Sequence, residues 1–299
     1  MVHLDFINIQ ECKSAHYIAV EDYVKSKGAD VADLLYKDIA KILGDMSPFR
    51  PDDYNWLKKF ILADVETLEK WVQRKEKELQ IGFFKELYTK RFSTNDKYVD
   101  SARTYNAYTL LRMMDFKVCP YCDDEYFDIL HPEQGLRRTS EFDHFYPEGK
   151  YPGLAMCFYN LIPSGKCCNQ LMNKYPVSAN PYHPDIEDWS MFESNIPFGS
   201  NLESLPLSDF SATLRVTGRM IQNNKTLALE EHYNNRKEII RKFLLAARDY
   251  EPEKVEELIR LGVPIEWIQR QKQQILGAPY PQARGKEFHQ KLRHDLTGY

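Results

Sequence analysis

The sequence predicts an α+β protein, mainly α, in which a small irregular module carrying cysteines lies between two helical regions. Three observations carry this reading. Apolar residues recur at three- and four-residue steps before about residue 115 and again after about residue 226, the period of helices packed on one side. From Cys119 to about Tyr182 that period vanishes and Pro, Gly, Asn and Cys crowd together, as in CPYC, YPEGKYPG, LIPSGKCCN and NPYHP. Four of the six cysteines, Cys119, Cys122, Cys167 and Cys168, fall within 50 residues of each other. The expected organisation is a helical region 1–115, the module 116–182, and a helical region 183–299 packed with it.

Each element follows from local pattern. In DVADLLYKDIAKILGDM the residues Val31, Leu34, Leu35, Ile39, Ile42 and Leu43 form one apolar stripe, and Gly44 stands where a helix stops. From Tyr54 to Leu79 the stripe continues through Trp56, Leu57, Phe60, Ile61, Val65, Leu68, Trp71 and Val72, with QRKEKEL as a solvated tail. A further helix is expected from about Val99 to Met114. Strands are expected at Glu125–Leu130 and Arg138–Phe142, joined across HPEQG as a hairpin. Near the end, one long helix carries Tyr233, Ile239, Ile240, Phe243, Leu244 and Ala247. Pro252 and Gly262 bracket a second, and Pro264 and Gly277 a third.

Composition narrows the function classes. A chain of 299 residues is long enough for one or two proper cores. The net charge of -4 is no basic signature, so composition by itself points to no nucleic-acid partner, and local features must outweigh it. The opening MVHLDFINIQECK lacks the basic and apolar runs of a signal peptide, and no apolar run of membrane-spanning length occurs. Six cysteines are too few for a disulfide scaffold in a chain this long. Their clustering suggests a metal in a reducing compartment, with cytoplasm the expected location.

Hydrolysis of a phosphodiester needs a base close to phosphorus and a cation for the leaving oxygen. The dipeptide Asp143-His144 at a strand end offers a hard oxygen ligand and an imidazole on opposite sides. Asn160, Asn169 and Asn173 follow, the last two four apart and so on one helix face, with Lys174 adjoining to touch a phosphate. Singly, each has a bland reading: a surface Asp-His pair, a turn asparagine, a helix cap. Their joint order beside cysteine knuckles lifts them above it.

The run CPYC…EFDHFYPEGKYPGLAMCFYNLIPSGKCCNQLMNK resembles the core of HNH endonucleases over about 65 residues. It is similar above all to the subgroup with CPYC, DHFxPKSKYPxLA and NLIPSCxxCN, and more weakly through NAYTLLR and EDWSMF in the flanks. The resemblance implies a ββα-metal nuclease core with a zinc knuckle. It makes His144 the general base, Asp143 and Asn169 ligands of a catalytic Mg2+ or Mn2+, and Asn160 the residue that braces the loop and orients the base. Asn173 is a further ligand candidate. Members of the subgroup include effectors of bacterial anti-phage systems such as Septu-type pairs, where an ATPase is encoded alongside. The implied substrate is nucleic acid, with DNA favoured over RNA or tRNA.

Two departures matter. Gly165 stands where the subgroup has the first cysteine of its second pair, and Cys167 and Cys168 are adjacent. Cys119, Cys122 and Cys168 then need a fourth zinc ligand: either Cys167, Cys157 or a histidine such as His183 supplies it, or the zinc has been lost. Isolated Cys12 and Cys157 otherwise read as buried small hydrophobes. Glu148-Gly149 replaces the subgroup's Lys-Ser and removes a positive charge near the substrate path. A zinc-stabilised adaptor that binds nucleic acid without cutting it is the rival from another class. The intact Asp143-His144, Asn160 and Asn169 set argues against that rival. Arg236, Lys237, Arg241, Lys242 and Arg248 read first as a solvated helix face, and second as contacts to a nucleic-acid backbone.

Overall fold

The computed structural model describes residues 1–94, 105–133, 135–197, 199–280, 282 and 284–299. The described chain is α+β and about half helical, with small antiparallel sheets of two strands each. Two compact units interleave along it: one holds Asp5–Phe116 and Phe127–Lys166, the other Met1–Leu4, Lys117–Tyr126 and Cys167–Tyr299.

The first unit begins with α1 (Ile9–Ser26), which buries Cys12, His16, Val20 and Val24 at four-residue steps. α2 (Ala29–Leu43) buries Ala32, Leu35, Ile39 and Ile42 and ends at Gly44, whose φ of 82° only glycine adopts freely. The single stripe from Tyr54 onward folds as two helices, α3 (Asn55–Ile61) and α4 (Val65–Arg74). Asp64 makes the break, its carboxylate accepting from the Thr67 amide at 2.8 Å and capping α4. Fully buried Trp56, Phe60 and Leu68 form the core between them, each contributing about 1.5–3 kcal/mol by leaving water. α5 (Gly82–Leu87) runs straight into a π-helical turn, Tyr88–Phe92. α6 (Ala107–Met114) starts at Asn106, which caps it through the Thr109 amide at 3.0 Å. The segment 99–104 of the helix expected there lies outside the described residues.

β1 (Ile129–Leu130) and β2 (Arg137–Arg138) form a two-residue ladder. β3 (Ser140–His144) does not pair with the strand expected across HPEQG. It pairs with β4 (Leu161–Gly165), antiparallel, from Ser140↔Gly165 to His144↔Leu161. All five β4 residues are buried, so the Leu161-Ile162 pair supplies the apolar partner that the exposed Leu130 end of β1 lacks. Pro163 is tolerated because β4 has β3 as its one described neighbour.

Gly153, in the loop joining β3 to β4, donates its amide to the Leu79 carbonyl at 2.8 Å, and a Cβ there would lie 2.7 Å from that oxygen. Gly153→Ala is therefore expected to cost about 1–3 kcal/mol by forcing backbone apart. A lower denaturant midpoint with an unchanged slope would register it, and an unchanged midpoint would contradict the contact.

The second unit contains α7 (Lys166–Met172) from Cys167 onward, β5 (Ser190–Ser194), β6 (Ala212–Val216), α8 (Met220–Leu227), α9 (Leu229–Asn234), α10 (Lys237–Asp249), α11 (Pro252–Arg260), α12 (Ile265–Leu276) and α13 (Gln290–Thr297). β5 and β6 pair antiparallel. Asn234 ties α9 to β6 by bonding both the amide and the carbonyl of Ala212, at 2.9 and 2.8 Å. Asp295 of α13 accepts from the Phe192 amide of β5 at 2.9 Å. The long helix expected through Tyr233 and Ala247 breaks at Asn235-Arg236 into α9 and α10. Pro252, Gly262, Pro264 and Gly277 flank α11 and α12 as the sequence suggests.

Candidate functional site

Asp143 and His144 close β3, and strand alternation sends their side chains to opposite faces. Phe142 and His144 share the face turned to the π-helical turn. There Phe142 meets Phe92 at 5.7 Å between ring centroids, and His144 meets Tyr88 edge-on at 4.3 Å. The Tyr88 hydroxyl also donates to the Phe142 carbonyl at 3.2 Å. Asp143 faces the other way and is 8% exposed.

The His144 side chain is 8% exposed, and its Nε2 lies 3.0 Å from the Ala155 carbonyl. A carbonyl only accepts, so Nε2 carries the hydrogen. Burial lowers the ring's pKa to about 4, Lys85 adding to the effect and the Ala155 bond opposing it. At neutral pH the imidazole is therefore uncharged and Nδ1 presents a bare lone pair. Glu148 Oε2 stands 3.9 Å from that nitrogen.

Asn160 holds this arrangement. It is fully buried, its Oδ1 accepts from the Tyr146 amide at 2.7 Å, and its Nδ2 donates to the Tyr146 and Leu154 carbonyls at 3.1 and 3.0 Å. One amide thus closes the loop between β3 and β4 at both ends and fixes the carbonyl preceding Ala155. Asn160→Ala would strand these buried backbone groups at about 1–3 kcal/mol each. The expected result is an unfolding midpoint lowered by roughly 10 °C, with Asn160→Asp intermediate because it keeps one acceptor. Differential scanning calorimetry checks both.

In the second unit the sulfurs of Cys119, Cys122 and Cys168 are buried and lie within 4.8 Å of one another, a group that could hold a metal ion. Cys119 and Cys122 sit on a tight turn closed by Asp123 N–H to Cys119 O at 2.7 Å and Cys119 N–H to Glu125 O at 2.9 Å. The Cys119 sulfur pushes the Cys122 thiol up to about 12, burial adding to it. Three sulfurs this close ionise together only around a cation.

Cys167, the first candidate for a fourth ligand, is exposed. The physical reason is that α7 is helical, so adjacent residues point about 100° apart and only one of Cys167 and Cys168 can face inward. Cys157 is buried in the first unit, where it contacts the Phe60 carbonyl at 3.6 Å. His183 takes the Asp185 amide on Nδ1 at 3.2 Å.

The turn is clamped by residues to which the sequence assigns no such part, Tyr233 reading as helix core and Arg236 as a solvated face. The Tyr233 hydroxyl donates to Cys122 O at 2.6 Å. The Asp123 carboxylate accepts from the Lys291 amide at 2.9 Å and from Gln290 Nε2 at 3.2 Å. Asp124 pairs with His289, Arg236 and His232 at 2.5, 2.5 and 2.8 Å. Burial alone would raise the Asp124 pKa, but these three partners hold it well below the usual carboxylate range. No local pattern announces this clamp, because its members come from opposite ends of the unit.

The remaining candidates lie in the second unit. Asn169 is half-buried on α7, Asn173 and Lys174 are exposed just beyond it, and Asn173 N–H to Asn169 O at 3.0 Å keeps their four-residue relation. Of the basic residues on the C-terminal helices, Arg236 binds Asp124, Lys237 the Ser208 carbonyl, Arg241 the Phe210 ring, and Arg248 Glu203 and Asp249. Sequence reasoning also passed over Tyr88 and Ala155, which reach Phe142 and His144 of β3 from distant or irregular chain. No family model, curated protein or solved structure matches the chain. Among the described residues, no helix is long and apolar enough to cross a membrane.

Proposed function

We propose that the protein is a metal-dependent nuclease of the HNH type that hydrolyses phosphodiester bonds, DNA being the favoured substrate, with His144 as general base. The observation that carries the reading is the state of that ring. It is neutral, locked in one tautomer by Ala155, and turns a bare Nδ1 toward Glu148 in the loop that Asn160 braces. An imidazole so prepared takes a proton from water without first having to lose one. The order strand, loop with asparagine, strand, helix (β3, 145–160, β4, α7) is also the order that a ββα-metal unit requires. Asp143 is the proposed oxygen ligand on β3 for Mg2+ or Mn2+, which when bound supplies charge stabilisation at the leaving oxygen. Cys119, Cys122 and Cys168 are the proposed ligands of a structural zinc.

The test incubates wild type and His144→Ala with supercoiled plasmid and with total RNA, in Mg2+ or Mn2+. Cleavage by wild type alone supports the reading, and the substrate cleaved decides between DNA and RNA. Equal behaviour of the two proteins on both substrates would favour a non-cutting adaptor. Asn169→Ala in the same assay tests the second metal ligand that the sequence suggests.

A further inference from the structure

Glu148 is unexpected beside a base meant for an anionic substrate, since a carboxylate there repels phosphate. Its Oε2 is buried without a hydrogen-bond partner and faces His144 Nδ1 at 3.9 Å. Both atoms are acceptors: Nδ1 because Nε2 holds the ring's hydrogen, and the carboxylate because it has none to give. Two acceptors at that distance are too far apart for a mutual hydrogen bond and suit a donor with two hydrogens between them. A water placed about 2.8 Å from each subtends roughly a right angle, close to the angle between its own O–H bonds. The Glu148 side chain is 31% exposed as a whole while its Oε2 is closed to solvent, and Lys85 Nζ at 3.9 Å from Oε1 offsets the carboxylate charge.

We propose that Glu148 is the second acceptor for the attacking water, a positioning residue that acts with His144; this rests on the nuclease reading above. One O–H of the water points to Nδ1 and the other to Glu148, which aims an oxygen lone pair at phosphorus. As that oxygen bonds to phosphorus, its first proton passes to Nδ1 and the P–O bond to the 3′-oxygen breaks. The departing oxygen takes a proton from solvent, and Nδ1 then releases its own proton to solvent, which restores the neutral ring. The second hydrogen stays on the attacking oxygen, still held by Glu148, and leaves with the new phosphomonoester. One water is consumed and no other reactant is needed.

The experiment measures kcat and KM for wild type, Glu148→Gln and His144→Ala on the substrate that the wild type cleaves. Glu148→Gln keeps the size of the side chain but replaces one acceptor oxygen by a donor. Expected is a fall in kcat of about ten- to a hundredfold from misdirected water. KM should stay level or drop, because one negative charge beside an anionic substrate is gone. A loss through misfolding would raise KM or lower the unfolding midpoint as well. Unchanged kinetics overturn the proposal, and so does faster cleavage, which would make Glu148 an acidic obstacle.

A high-resolution crystal structure of wild type and Glu148→Ala gives a readout independent of activity. Density for a water within hydrogen-bond distance of both Nδ1 and Oε2, lost in the variant, supports the pair. Its absence from wild type overturns it. Should wild type and His144→Ala cleave alike, the nuclease reading fails, and the crystal structures still decide whether the two acceptors share a water.

Discussion

Replacing His144 by alanine is expected to slow phosphodiester cleavage by about 10²- to 10⁴-fold, the range that a positioned general base contributes. The loss should fall on kcat, since the ring holds no substrate group in the ground state. Stability should suffer far less. The side chain leaves the Tyr88 ring edge and the Ala155 carbonyl without a partner, at about 1–3 kcal/mol for the carbonyl if water does not replace the ring. Single-turnover cleavage beside a thermal melt separates the two effects. A variant that melts normally and cleaves at the wild-type rate would end the proposed role of His144. A variant that fails to fold would shift the comparison to His144→Asn, which keeps more of the packing.

The second large effect concerns the three buried thiols. Purified protein is expected to carry about one zinc per chain, and Cys168→Ser or Cys122→Ser to carry far less. Structural zinc in finger peptides is worth about 10–16 kcal/mol in apparent binding energy, and little of that survives the loss of a thiolate. Here the turn is also held by Tyr233, Asp123 and Asp124, so part of the second unit should persist without metal. A fall of 10 °C or more in the unfolding midpoint, about the effect of several kcal/mol in a chain of this size, is the expected result. Elemental analysis and calorimetry check it. Wild type free of zinc, with a midpoint that chelators leave alone, would remove the knuckle from the proposal.

What could be read from the sequence was local. Pro252, Gly262, Pro264 and Gly277 flank their helices because fixed φ, missing donors and positive φ act within a turn of chain. Asp64 and the Asn235-Arg236 pair broke stripes that periodicity alone would have run together. A side-chain cap or a change of backbone angle outweighs an apolar pattern that remains compatible with either reading. Pairing of β3 was less legible, since β4 reads LIPSG, with proline and glycine in a stretch that looks like loop. At the candidate site, Asp143, His144 and Asn160 stood out by their order and spacing beside the cysteines, not singly. The Ala155 carbonyl that sets the ring's tautomer is a backbone group that no side-chain type announces, and the Tyr88 ring comes from far up the chain. The Asp124 cluster is less visible still, because it draws on α9 and the residue before α13.

The crossing of the chain between its two units, which happens four times, has a bearing on biosynthesis. Asp123 bonds to Gln290 and Lys291, 167 and 168 positions later, so the turn that bears Cys119 and Cys122 emerges from the ribosome long before its clamp exists. At translation speeds of about 5–20 residues per second, the nascent segment waits roughly 8–34 s for those partners. A polypeptide released before α13 is made leaves the Asp123 carboxylate without the Lys291 amide and Gln290 side chain that clamp it. Synthesis of α13 thereby completes the clamp on a cysteine turn laid down more than a hundred residues earlier.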